Sequence, residues 1–192
     1  KDVIMKNILF TLMLILSIPC FAQQNKAEGE KSKSKAVEFM SQSGTLIRKD
    51  FYDIHKDKYG VTCQVLILTN ILNNKKSGCL RLKTEYFSSV GTDTYIGTLD
   101  SDEIDAAIKS LKYIAETLVP TSPETYTEVE YSTRDNMQIG AFTSDGTWEV
   151  YVQTKSYTSR SMSTIKADKI NEFIGYLEQS KQLITEKVGS VQ

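Results

Sequence analysis

The segment Thr98-Leu99-Asp100-Ser101-Asp102-Glu103-Ile104 recurs in character as Thr164-Ile165-Lys166-Ala167-Asp168-Lys169-Ile170, 66 residues further along. Each is a strand end running into an amphipathic helix. The correspondence continues through Ile108 and Ile174 and through Leu111 and Leu177. Ile104, Ala107, Ile108, Leu111, Ile114, Ala115 and Leu118 fall at helical spacing in the first copy, and Ile170, Phe173, Ile174, Leu177 and Ile184 in the second. Asp100 with Glu103 reads as a capping-box variant, Asp100 as N-cap and Glu103 bonding back, which sets where the first helix begins.

Four strand-like runs precede each helix. In copy one they are Thr45–Ile54, Val61–Ile71, Cys79–Phe87 and Thr94–Leu99; in copy two, Tyr126–Thr133, Met137–Thr143, Thr147–Thr154 and Tyr157–Ile165. Asp145-Gly146 is a strong hairpin signal, and Asn73-Asn74-Lys75-Lys76-Ser77-Gly78 a longer polar turn. Lys56–Gly60 and Arg134–Asn136 hold equivalent turn positions, and Pro120 and Pro123 punctuate the join. Trp148, Val150 and Val152 alternate with Thr147, Glu149, Tyr151 and Gln153, so Tyr151 is expected to point outward. Leu80, Leu82 and Thr84 alternate with Arg81, Lys83 and Glu85. The run Val61–Leu68 is apolar on both faces, as in a strand covered on both sides.

These patterns predict an α+β fold: two β-β-β-β-α repeats forming an intramolecular pseudo-dimer of antiparallel sheets with packed helices. The divisions are residues 1–22 (upstream residues and leader), 23–42 (flexible lead), 43–119 (first repeat) and 120–192 (second repeat). Each repeat is too short to bury a generous core by itself. The polar stretch Gln23–Lys35 has no hydrophobic period and reads as disordered, with the globular part and a short helical turn beginning near Ala36–Met40.

Met5–Ala22 reads MKNILFTLMLILSIPCFA, a basic start, an apolar run from Ile8 to Ile18, then Pro19 and small residues at Cys20 and Ala22. That is the pattern of a secretory leader cleaved after Ala22, with Lys1–Ile4 upstream of its start. Export to the periplasm or beyond is the expectation, with a lipoprotein acylated at Cys20 as the alternative. The apolar run is shorter than the roughly 20 residues a spanning helix needs, so the chain is read as not membrane-spanning.

Two of the 23 basic residues (Lys1, Lys6) and one of the 24 acidic ones (Asp2) lie in the leader, leaving 21 against 23 and a net charge of −2. No basic field of the kind a phosphate backbone demands is present, so no nucleic-acid partner is expected. Past the leader the cysteines are Cys63 and Cys79. A hairpin turning near Asn74 would set Cys63 opposite Tyr86 and Cys79 opposite Asn70, too far apart for a disulfide. Two small buried hydrophobes are expected instead.

His55 is the only histidine, flanked by Asp53 and Asp57. A histidine between carboxylates suits a general base or a metal ligand, but one histidine does not make a multi-histidine zinc site, and a solvated loop residue is the favoured reading. Asp100, Asp102, Glu103 and Asp105, with Asp93 nearby, open a helix, where carboxylates are stabilised without a metal. Copy two has Lys166 and Lys169 in place of Asp100 and Glu103, against a duplicated metal site. Ser156–Ser163 lacks a nucleophile motif, and glycine-rich phosphate loops are absent. No catalytic, cofactor-binding or metal residue is assigned, and no cofactor. Ten tyrosines and one tryptophan, mostly on strands, could form a contact surface for a glycan or protein.

The β4α plan over residues 44–187 resembles the units of Whirly and PUR single-stranded nucleic-acid-binding domains. The likeness is carried by Ser159-Arg160-Ser161-Met162-Ser163-Thr164-Ile165 leading into a helix with Ile170, Phe173 and Leu177. The basic, aromatic sheet face of those families is not recognisable here, so none of their binding residues is carried over. The chain also resembles uncharacterised secreted Bacteroidetes proteins of this size, a likeness that implies no activity. The leading expectation is an exported, non-enzymatic binding or interaction module for a protein or glycan. The alternatives are a hydrolase-like enzyme using His55 with a nearby Asp, and a Whirly-like single-strand binder.

Overall fold

A computed structural model describes residues 33–57 and 60–189. The leader, its cleavage point and Cys20 lie outside the described residues. The architecture is α+β, with two four-stranded antiparallel sheets ordered β1-β2-β3-β4 and β5-β6-β7-β8. Sheet one comprises β1 (Ile47–His55), β2 (Thr62–Asn70), β3 (Lys76–Ser88) and β4 (Gly91–Asp100). Sheet two comprises β5 (Glu128–Ser132), β6 (Gln138–Ser144), β7 (Thr147–Gln153) and β8 (Met162–Ile165). A short helix α1 (Lys35–Met40) precedes sheet one, α2 (Ile104–Tyr113) follows it and ends in a π-helical turn, and α3 (Ile170–Val188) follows sheet two. No described helix is long and apolar enough to cross a membrane.

The two helices are exchanged between the repeats. Helix α3 lies on β1, β2 and β3 of sheet one, and α2 lies against sheet two. They run antiparallel, with Asp105 bonded to Lys181 at 2.7 Å and Lys112 to Glu178 at 2.8 Å. Their apolar stripes and both inner sheet faces form one core, including Val65, Leu80, Leu111, Val150 and Leu177. This exchange solves the problem posed by two short repeats, because each sheet gains a cover that its own half does not supply.

The helix starts repeat the same backbone turn. The Glu103 N–H bonds the Asp100 carbonyl at 2.9 Å, and the Lys169 N–H bonds the Lys166 carbonyl at 2.8 Å. One half of the expected capping box is present: the Glu103 carboxylate accepts from the Asp100 N–H at 3.1 Å. The other half is corrected. The α2 N-cap is Glu103, without a side-chain cap bond, and the Asp100 carboxylate is turned to another element. It accepts from Ser34 Oγ (2.9 Å), Lys35 N (2.7 Å) and Ala36 N (3.0 Å), and so holds the start of α1. Helix α1 covers Leu66, Leu68 and Cys79 on the outer face of sheet one. Helix α1 thus lies within residues 23–42, read as a flexible lead, at the place where a helical turn was expected.

Three further expectations change in detail. Cys63 stands opposite Leu82, not Tyr86, and Cys79 opposite Leu66, because the turn between β2 and β3 is centred between Leu72 and Asn73, earlier than Asn74. Both cysteines are free and buried, as expected. They belong to different cores on the two faces of sheet one, so the sheet separates them. Burial pushes both thiols up to about 12. The run Tyr157–Ile165 is mostly loop and 3-10 turn, with only Met162–Ile165 as strand, because Ser161 is drawn inward to bond Lys155 and Thr158.

Tyr151 is the third. Alternation places it on the outer face, yet it is 2% exposed. Its direct partner across the ladder is Gly140, where an added Cβ would meet the Tyr151 ring at 3.0 Å. The ring lies down over the glycine, and its hydroxyl donates to Glu128 at 2.9 Å.

Candidate functional site

With α1 over one half of the outer face of sheet one, the other half is open. It forms a cleft of about 490 Å³ lined by Asp53, Lys56, Asp57, Thr62, Gln64, Arg81, Lys83 and Glu85. Three neighbouring strands supply a polar rung across it. Gln64 donates to Asp53 at 2.8 Å and accepts from Arg81 at 2.6 Å. The Arg81 guanidinium also lies 4.9 Å from the centre of the half-exposed Phe51 ring. Lys56 pairs with Asp53 and Lys83 with Glu85. Hydrogen bonds from Lys56 and Gln64 hold the Asp53 carboxyl below its usual range. Partial burial lowers the Arg81 pKa from its ordinary value. The result is a fixed row of acceptor, amide and cation beside an aromatic ring.

Sequence reasoning missed this row because Val61–Leu68 looked apolar on both faces. The signal was present in Gln64, the one amide in that run, and in the Arg81-x-Lys83-x-Glu85 alternation that shares its face.

A second cleft, of about 460 Å³, lies where the end of β1 meets β8 and the start of α3. His55, Asp57, Lys166, Lys169, Glu172 and Tyr176 line it. The His55 ring stacks on Tyr176 with centroids 4.3 Å apart. The Tyr176 hydroxyl donates to Glu172, which also pairs with Lys169 at 2.9 Å. That hydrogen bond to a carboxylate pushes the Tyr176 hydroxyl up to about 12.

A bulge decides which Asp accompanies His55. Asp53 stands opposite Gln64 and His55 opposite Cys63, with an extra residue, Ile54, between them on β1. The extra residue reverses the alternation, so Asp53 joins the outer cleft while His55 turns to the α3 side. Two residues that would share a face on a regular strand are thus on opposite faces. Asp57 lines both clefts. None of Ser156–Ser163 lines the cleft that holds His55.

The acidic cluster is a structural clasp. Arg134, on the turn between β5 and β6, reaches Asp102, Glu103 (3.4 Å) and the buried Asp100 (3.5 Å). The Arg134 N–H adds a bond to the Glu103 carboxylate at 2.9 Å. Lys35 pairs with Asp102 at 2.8 Å and Lys181 with Asp105. Burial opposes ionisation of Asp102, but hydrogen bonds from Lys35 and Arg134 prevail and hold its carboxyl below the usual range. No group of three or more metal-ligating side chains is assembled among the described residues.

Arg134→Ala is accordingly expected to cost about 1–3 kcal/mol at neutral pH, as charged acceptors lose their donor. A depressed folded pKa stabilises the protein above the unfolded value and loses that contribution as pH falls through the folded one. The difference between wild type and variant should therefore shrink below pH about 4. Urea melts at neutral and acid pH measure it, and a pH-independent difference would count against the clasp.

The tyrosines do not gather into one face. Tyr151 is buried, Tyr176 is in the His55 cleft, and Tyr86 lies under Arg160 at 5.2 Å. Tyr113 and Tyr131 line an apolar groove of about 400 Å³ between α2 and β5. Burial, then the neighbouring Glu103, pushes the Tyr131 hydroxyl up to about 12. Comparison of the chain with known protein families, with curated proteins and with solved structures finds no match in any of the three.

Proposed function

We propose that the chain is an exported, non-enzymatic binding module that holds a polar ligand, a glycan or a protein segment, on the open half of sheet one. The observation that carries this reading is the Asp53–Gln64–Arg81 rung beside the exposed Phe51 ring. Its donors and acceptors are fixed before any ligand arrives, so little side-chain entropy remains to be lost on binding. An aromatic ring flanked by carboxylate, amide and guanidinium offers the hydroxyls and apolar faces of a sugar, or a peptide backbone, suitable partners.

The test is an array of neutral and acidic glycans and peptides probed with residues 23–192. Arg81→Ala is expected to weaken any ligand held in the cleft by about tenfold or more, the value of a charge-assisted hydrogen bond. Retention of full affinity in Arg81→Ala would move the site elsewhere.

The hydrolase-like reading is favoured by one observation, the gathering of His55, Asp57, Glu172 and Tyr176 around one cleft. It would need Asp57 rather than Asp53 beside the imidazole. The Whirly-like reading draws support from two similar four-stranded sheets with exchanged helices. Its activity is disfavoured by charge: residues 120–192 carry seven Lys+Arg against ten Asp+Glu, and residues 43–119 carry ten of each. No oligonucleotide binding tighter than about 10 μM is expected at physiological salt. Submicromolar binding of labelled single-stranded DNA or RNA that weakens steeply with salt would restore that reading.

A further inference from the structure

The end of sheet one at which the chain enters the fold carries an aliphatic tip that the core does not use. Leu46, just before β1, and Ile71 and Leu72, just after β2, are 62%, 43% and 71% exposed. They stand side by side, since the Ile71 N–H bonds the Leu46 carbonyl at 2.9 Å.

The loop that presents them is built rather than slack. The buried Asn70 accepts from the Leu72 N–H through its side chain (3.0 Å) and from the Asn74 N–H through its carbonyl (2.8 Å). The Asn73 side chain accepts from the Lys75 N–H at 3.0 Å, and Asn74 takes a left-handed φ of 57°. Asparagine suits both roles, so this is a loop whose turn residues match its conformation. Against that polar frame, two adjacent aliphatics held out in solvent are not explained by packing.

The surrounding charge is basic. Lys75 and Lys76 follow the two aliphatics in the loop and at the start of β3, and Lys49 lies on the neighbouring strand. Lys187 joins from α3, where its carbonyl accepts from Lys76 at 3.1 Å. The carboxylates nearest in these elements are already paired, Asp50 with Arg48 at 2.9 Å and Glu186 with Lys187 at 2.7 Å. Lys49 and Lys75 have no ion pair among the described residues.

We infer that this tip docks on an anionic lipid surface, Ile71, Leu72 and Leu46 entering the headgroup layer while Lys49, Lys75 and Lys76 lie over the lipid charges. Aliphatic side chains on a rigid loop with a basic rim meet the two needs of peripheral membrane binding, apolar burial and attraction to acidic headgroups. A protein partner would be expected to draw more on aromatic anchors, and the exposed ones of sheet one lie outside the tip: Phe51 sits beside Arg81 on the outer face, and Tyr86 and Phe87 are at the far end. The inference is independent of the cleft on the outer face of the sheet.

Residues 23–192 are the material to test, because the apolar run Ile8–Ile18 would itself partition into lipid. The chain is sedimented with vesicles of phosphatidylcholine alone and of phosphatidylcholine mixed with phosphatidylglycerol. Binding is expected only to the anionic vesicles, weakening with salt. Leu72→Ser should reduce it about tenfold by removing one buried leucine from the partition, and Lys75→Glu by a similar factor. Leu72 is mostly exposed, so the fold is expected to survive, with circular dichroism as the check. No binding to anionic vesicles, binding unchanged by Leu72→Ser, or capture of a protein in place of vesicles would each overturn the inference.

Discussion

Dividing the chain between Val119 and Pro120 is expected to leave neither half folded as a monomer. Sequence places the join of the two repeats there, but packing does not respect it. Cys63, Val65, Ile67, Leu80 and Leu82 line the inner face of sheet one, and their cover, α3, belongs to the other half. Helix α3 buries five large apolar side chains, Ile170, Phe173, Ile174, Leu177 and Ile184. At about 1.5–3 kcal/mol each, their loss rivals the whole 5–15 kcal/mol by which a domain of this size is stable. Residues 33–119 and 120–189 are therefore expected to lack cooperative unfolding when dilute and separate. Mixed in equal amounts they should recover it, with Trp148 fluorescence and far-UV circular dichroism as readouts. A half that folds alone should do so as a dimer, each copy lending its helix to the other. A folded monomer of either half, shown by sedimentation and a cooperative melt, would refute the exchanged arrangement.

Sequence patterning reached the eight strands and the two long helices because both periodicities are clean where one face is buried. Leu80, Leu82 and Thr84 are buried and Arg81, Lys83 and Glu85 are not, as alternation requires. What it did not reach are relations set by a third element. Nothing local to Asp100 announces that its carboxylate serves Ser34, Lys35 and Ala36, residues more than sixty positions away. Likewise Tyr151 obeys its face assignment and still vanishes from the surface, because the space it fills is made by a glycine on the next strand. The candidate cleft depends on a single inserted residue. One bulge at Ile54 parts Asp53 from His55, and no hydrophobic period encodes a bulge. Which sheet each helix covers was equally illegible, since both pairings bury the same stripes.

That pairing can be read at one contact, between Gly78 on β3 and Ile184 on α3. A Cβ added at Gly78 would sit 2.7 Å from Ile184 Cγ2 and 3.1 Å from Val188 Cγ2. Glycine is what allows the helix of the second repeat to approach the sheet of the first this closely. Gly78→Ala is expected to cost about 1–3 kcal/mol, since Ile184 Cγ2 is a branch fixed near the helix backbone and cannot swing away. Ile184→Ala should cost about 2–5 kcal/mol, because the side chain is 1% exposed and leaves a cavity. The double variant is the decisive one. The new methyl at position 78 then projects into the space that Ile184 vacated, so the clash disappears and part of the cavity is filled. Its cost should fall below the sum of the two single costs by about 1–2 kcal/mol, a coupling of the size expected for residues in direct contact. Residues on separate, independently covered sheets would show none. Urea melts of the four proteins close the cycle, and strict additivity would mean that α3 does not lie on sheet one.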